Sequence, residues 1–155
     1  MSADEETAGA LRRGLLAVFV FGMLVSGSEL LLLGHIEDEW QWTPLVLLGT
    51  SLAVLGWHGF SRGAGALRAH RVLMALFIGS GLGGVRLHYR SNVEFELEMY
   101  PSLGGLELFQ AAMTGAMPVL APLAMAGLGF LGLAYAYRHP ADAETLGSAP
   151  DRGER

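Results

Sequence analysis

The residues with the greatest chemical potential in this chain are acids and histidines gathered in two polar segments. His35, Glu37, Asp38 and Glu39 form the first; His88, Glu94, Glu96, Glu98 and Glu107 belong to a second, longer one. Imidazole and carboxylate together suit a divalent cation such as zinc, manganese or iron. If the two segments converge, His35, Glu37, Asp38, His88, Glu94, Glu96 and Glu98 could surround one metal ion. No fixed ligand spacing accompanies them, and the competing reading is a solvated acidic surface. A further carboxylate, Glu29, lies inside an apolar run. Within hydrocarbon such a group costs on the order of 2.5–3.5 kcal/mol, so it should face protein, take up a proton or meet a cation. It reads either as an intramembrane cation or proton site with Arg86, or as a structural carboxyl paired with Arg86 or His88.

The elements that must position these groups are four apolar stretches. Apolar residues make up 52% of the chain and charged residues 16%, with mean hydropathy +0.39, so lipid is the expected surrounding solvent. The stretches cover about residues 15–34, 43–60, 72–86 and 111–137. A membrane crossing needs roughly 20 residues of helix, which the third approaches only with tilt or arginine snorkelling. The expected fold is all-α, a four-transmembrane-helix bundle with a short structured outer loop between the third and fourth helices. Residues 1–10 read as a disordered N-terminus, 11–140 as the transmembrane domain and 141–155 as a disordered tail. Pro118 and Pro122 each remove a helical hydrogen bond and predict a kink or a non-helical entry to the fourth span. Residues 93–99 alternate polar and apolar, which suits a strand; as a helix they would instead pair Arg90 with Glu94.

Arginine placement sets the orientation. Arg12 and Arg13 precede the first span, Arg62, Arg68 and Arg71 separate the second and third, and Arg138 follows the fourth. By the positive-inside rule all of these are cytoplasmic, as are both termini, and the acidic segments face outward. Trp40, Trp42, Tyr89 and Tyr100 then mark the outer boundary, and Trp57, Tyr135 and Tyr137 the inner one. This is the layout of a multi-pass protein of the bacterial inner membrane. Arg12 and Arg13 followed by an apolar run also resemble a signal peptide, but the apolarity resumes at Leu30–Leu33, which a retained span explains better.

Several function classes drop out. The net charge of -5 offers no footprint for nucleic acid, and the absence of cysteine removes thiolate chemistry. No phosphate-binding loop, dinucleotide fingerprint, nucleophile elbow or His-Glu-x-x-His motif is present. Met113, Met117 and Met125 suit gap-filling better than copper. His58 reads as an interfacial histidine, and no histidine is expected deep within a span. Gly79 with Gly83, and Ser80 with Gly84, form small-x-x-x-small pairs, and Gly127, Gly129 and Gly132 recur in the fourth span, so close helix contact is expected within one chain or between chains.

The strings from His35 to Trp42, His88 to Leu103 and Ala116 to Pro122 resemble a group of uncharacterised small bacterial four-span integral membrane proteins. That resemblance implies the fold and carries no activity. Small multidrug exporters also place a glutamate in their first span, but their surrounding pattern is missing here. The function expected is binding or passing a small cation, a divalent metal or a proton-coupled one, through an acidic outer vestibule. The alternatives are an accessory subunit, docked through its glycine faces to itself or to a larger membrane complex, and a periplasm-facing metal-dependent enzyme.

Overall fold

The structure, a computed structural model, describes residues 3–34, 36, 39–61 and 63–142. Among them the regular elements are five helices: α1 (Ala3–Leu32), α2 (Trp42–Ser61), α3 (Ala64–Met99), α4 (Gly105–Met113) and α5 (Leu123–Ala136). Helices α1, α2 and α3 are long and apolar enough to cross a membrane, whereas α5 is apolar but has only 14 residues. Asp4, Glu5 and Glu6 occupy the first turn of α1, where acids complement the helix dipole. That helix therefore takes in most of the polar N-terminal segment. Its other end closes at Gly34, whose φ of 63° is the left-handed conformation glycine adopts without a steric penalty.

The outer loop expected to begin near Arg86 is not a loop. Helix α3 continues through it to Met99, giving 36 residues and a length of about 54 Å. The segment's Arg, Leu, Glu and Met residues favour helix, and Arg90 reaches Glu94 one turn on at 3.3 Å. Its polar-apolar alternation finds no neighbouring strand, and no strand occurs among the described residues. The helix stops at Tyr100, because the residue before Pro101 is held out of helical geometry.

The single long fourth span is likewise replaced by two helices, α4 and α5. Pro118 and Pro122 lack the N–H groups a continuous helix needs, and tighter bonds close the chain between them. Ala121 N–H donates to Pro118 O at 3.1 Å, and Met125 N–H donates to Pro122 O at 3.0 Å.

The break after α4 and helix α5 run antiparallel along α3. Asn92 lies opposite Ala112 and Met117, His88 opposite Pro118, Gly84 opposite Pro122, Gly81 opposite Ala126, and Met74 opposite Gly129 and Gly132. Glycine sets the separation. A Cβ on Gly81 would lie 2.7 Å from the Ala126 nitrogen, and one on Gly129 would lie 2.7 Å from the Met74 carbonyl oxygen. Gly79, Gly83 and Gly127 face open space instead, so of the expected small-residue pairs only Gly84 on α3 enters this contact. The interior is completed by Phe19 and Met23 from α1, Leu48 from α2, Met74 and Phe77 from α3, and Met125 and Leu128 from α5.

Asn92 fastens the break between α4 and α5. It is 1% exposed; its side-chain amide donates to the carbonyls of Ala112 and Met117, each at 2.8 Å, while its Oδ1 accepts from Met117 N–H at 3.0 Å. Asn92→Ala leaves these backbone groups without that partner and should lower stability by about 1–3 kcal/mol. Gly81→Ala and Gly129→Ala overpack the α3–α5 contact and should cost a similar amount, about 1–3 kcal/mol, whereas Gly79→Ala should be neutral. Melting temperatures of the purified variants in detergent check all four, and equal melting of Gly79→Ala and Gly81→Ala would contradict the packing described.

Candidate functional site

The seven metal ligands expected from the sequence fare differently. His35, Glu37 and Asp38 lie outside the described residues. His88 Nδ1 is 3.1 Å from the Pro118 carbonyl, to which it donates, so this nitrogen braces the α4–α5 break. Glu94 is exposed and paired with Arg90, Glu98 is exposed, and Glu96 is half-buried roughly on the opposite side of α3 from both, as helical geometry requires of residues two apart. Glu29 is exposed in the last turn of α1 and Arg86 is exposed on α3; no ion pair joins them. Among the described residues no group of three or more His, Asp or Glu side chains could hold a metal ion.

The polar groups that do come together lie at the opposite end of the helices, where α2 ends, α3 begins and α5 ends. Helix α3 starts at Ala64, eight residues before the apolar run of the sequence reading, and this draws His70 into the packing, where it is 1% exposed. The sequence carries a signal in His58 and His70, which flank the short connection between α2 and α3. His58 is also buried.

His70 Nε2 lies 3.0 Å from the Gly132 carbonyl oxygen. A carbonyl only accepts, so Nε2 carries the proton, and Nδ1 is buried without a hydrogen-bond partner among the described residues. At the end of α5, Arg138 adopts a φ of 44° and the chain turns so that His139 meets both Tyr135 and His58. The rings form one edge-to-face ladder. Phe19 and His70 are 5.6 Å apart, His70 and Tyr135 5.7 Å, Tyr135 and His139 5.5 Å, and His139 and His58 5.0 Å. Four helices and the segment after α5 are joined through it.

Charged groups hold that segment down. Arg71 donates to both Asp142 carboxylate oxygens, at 3.0 and 2.6 Å, and to the Ala136 carbonyl at 2.8 Å. Arg12 donates to the Arg138 carbonyl at 3.2 Å, and Ala141 N–H donates to His139 Nδ1 at 3.2 Å. Burial holds the His139 pKa below its ordinary value, and the nearby His58, Arg12 and Arg71 add to that effect against the opposing pull of Asp142. The hydrogen bond from Arg71 holds the Asp142 carboxyl below the usual carboxylate range. The arrangement is a latch of imidazole and phenol rings among cations.

Protonating His139 at Nδ1 breaks its bond to Ala141 and adds positive charge beside Arg12 and Arg71. A histidine whose folded pKa is lowered contributes stability that is full above the unfolded value of 6.5 and is lost as pH falls through the folded value. The protein should therefore melt progressively lower as pH drops below about 6.5. His139→Asn keeps an acceptor for Ala141 and should flatten the dependence; melting curves at several pH values test this, and an unchanged slope in the variant would exclude His139 as its source. In comparisons with known proteins, no protein-family model, no curated protein and no solved structure matches the chain.

Proposed function

We propose that this chain is a multi-pass protein of the bacterial inner membrane, with both ends cytoplasmic, that works as a helical subunit docked against itself or a larger membrane complex. In this reading it crosses four times, the fourth crossing being made by residues 118–136. Their non-helical entry is compatible with a membrane because α3 covers it: Pro118 O is met by His88 and the Met117 backbone by Asn92.

The observation that carries the docking role is the division of labour among the glycines. Gly81, Gly84, Gly129 and Gly132 are used up inside the chain, whereas Gly79 and Gly83 stand open beside the exposed Val72, Leu76 and Leu82. In hydrocarbon, where apolar burial gives no drive to associate, a small-residue face allows the close approach that holds helices together. The interior supports the same reading, because Phe19, Met23, Met74 and Phe77 fill it. The function is then carried on the surface. Beyond Arg86, α3 extends by about 20 Å with Glu94 and Glu98 exposed, long enough to present charge to a partner outside the bilayer.

One observation favours a second reading, binding or passage of a small cation. Glu29 is exposed about 5 Å from the end of α1, just before the segment that carries His35, Glu37 and Asp38. Three variants separate the readings. A docked subunit should run well above its 16.5 kDa mass in mild-detergent extracts of native membranes. Gly83→Leu should collapse it to a single chain that is still folded, and Glu29→Gln should leave the assembly intact. A wild-type chain that extracts as a monomer would contradict docking. Stoichiometric metal in the purified protein, lost in the His35→Ala/His88→Ala double variant, would move the assignment to the cation.

A further inference from the structure

Two clefts flank the contact between the start of α1 and the end of α5, and they share one side chain, Arg12. The larger, about 280 Å³, is lined by Arg12, Arg13, Tyr135 and His139 with Leu16 and Pro140. The smaller, about 140 Å³, is lined by the apolar Ala8, Leu11, Leu15 and Ala134 together with Tyr137 and the other side of Arg12.

The polar lining of the larger cleft is of one kind. Its titratable lining residues are Arg12, Arg13, Tyr135 and His139, and among the described residues no acid lines it. Asp142, the nearest acid on the closing segment, is bound to Arg71, and the acids in the first turn of α1 line neither cleft. Arg12 spends one donor on the Arg138 carbonyl and keeps its others, while Arg13 is exposed and makes no ion pair or hydrogen bond among the described residues. Planar guanidinium forks of this sort match phosphate oxygens two at a time. An anion fits this cleft and a cation does not.

The neighbouring cleft identifies the anion's remainder. Its apolar walls run along α1 from Ala8 through Leu11 to Leu15, past Arg12 and into the start of the apolar run. We infer that the two clefts together form a binding site for an anionic phospholipid. Its phosphate lies between Arg12 and Arg13, with Tyr135 and His139 as further donors, and the start of one acyl chain lies along Leu11, Leu15 and Ala134. The inference rests on the membrane reading above, with this end at the cytoplasmic leaflet, where anionic lipid collects and each basic residue near the surface strengthens its binding. Because the site joins Arg12 to the segment carrying Arg138 and His139, a bound headgroup adds its charge to the latch and offsets the cations gathered there.

The test uses the full chain in nanodiscs of phosphatidylcholine with or without phosphatidylglycerol, read by native mass spectrometry of the released protein. Wild type should retain one phosphatidylglycerol in preference to phosphatidylcholine. Arg13→Gln should reduce that retention about fivefold and Arg12→Gln/Arg13→Gln roughly 25-fold, while Arg90→Gln at the far end of α3 leaves it unchanged. Arg12 also has a structural bond, so the melting temperature of each variant without phosphatidylglycerol is measured alongside, and Arg13→Gln alone decides the matter if the double variant is unstable. Equal retention of the two lipids, retention unaffected by Arg13→Gln, or displacement of phosphatidylglycerol by inorganic phosphate would each overturn the assignment. A chain that inserts into phosphatidylcholine and still shows no preference refutes the lipid site alone; a chain that does not insert refutes the membrane reading with it.

Discussion

One face of α3 determines where everything else can lie. Along that face the backbone of α5 comes close enough that a single methyl on Gly81 or Gly129 would collide with main-chain atoms. Contact this close supplies van der Waals attraction along the whole interface, the principal force between helices once lipid surrounds them. It also fixes the register, because a slide of one turn would put side chains where the glycines are. The positions of Asn92 on the α4–α5 break and of His70 against Gly132 both follow from that register.

The two ends of α3 then do different things. Toward Met99 the helix leaves its apolar neighbours and serves as a mast for α4, with Asn92 and His88 satisfying backbone groups that the prolines leave open. Toward Ala64 it meets the ends of α1, α2 and α5, where aromatic edges replace aliphatic packing. Edge-to-face rings are tolerant of small shifts but sensitive to charge. Such an end can close firmly at neutral pH and still respond to a proton or to an anion, and the wholly intermeshed middle of the molecule cannot.

Much of this architecture was legible in the sequence, and the parts that were not have physical reasons. Apolar runs of 18 residues or more announced α1 and α2, and Pro118 with Pro122 announced the break before α5, because composition and proline chemistry act locally. The helical state of residues 86–99 was ambiguous, since their period-two alternation and their helix-favouring residue types point opposite ways, and only packing by α4 decides between them. Which glycines are buried was unreadable for a similar reason: Gly79 and Gly81 look alike in a string, and the partner helix alone distinguishes them. The site was the least legible. Acids and histidines clustered in sequence drew attention to residues 35–39 and 88–98, whereas the groups brought together in space are His58, His70, Tyr135 and His139, gathered from three helices and the segment beyond α5. Their nearest sequence signal is two histidines flanking the short connection between α2 and α3, and it is hidden because the apolar run begins only at Val72, beyond His70.

Helix α3 runs unbroken from Ala64 to Met99, and the rest of the structure hangs on that continuity. The chain has no cysteine, so spin labels can be attached cleanly at Gly65→Cys and Glu98→Cys, both exposed positions, and the distance between them measured by pulsed electron resonance in nanodiscs. A continuous helix predicts a single narrow distance of about 50 Å between the backbone positions. A broad distribution, or a distance near the roughly 30 Å of a bilayer core, would mean that the residues beyond Arg86 fold back as a loop, and the account of α3 would fail.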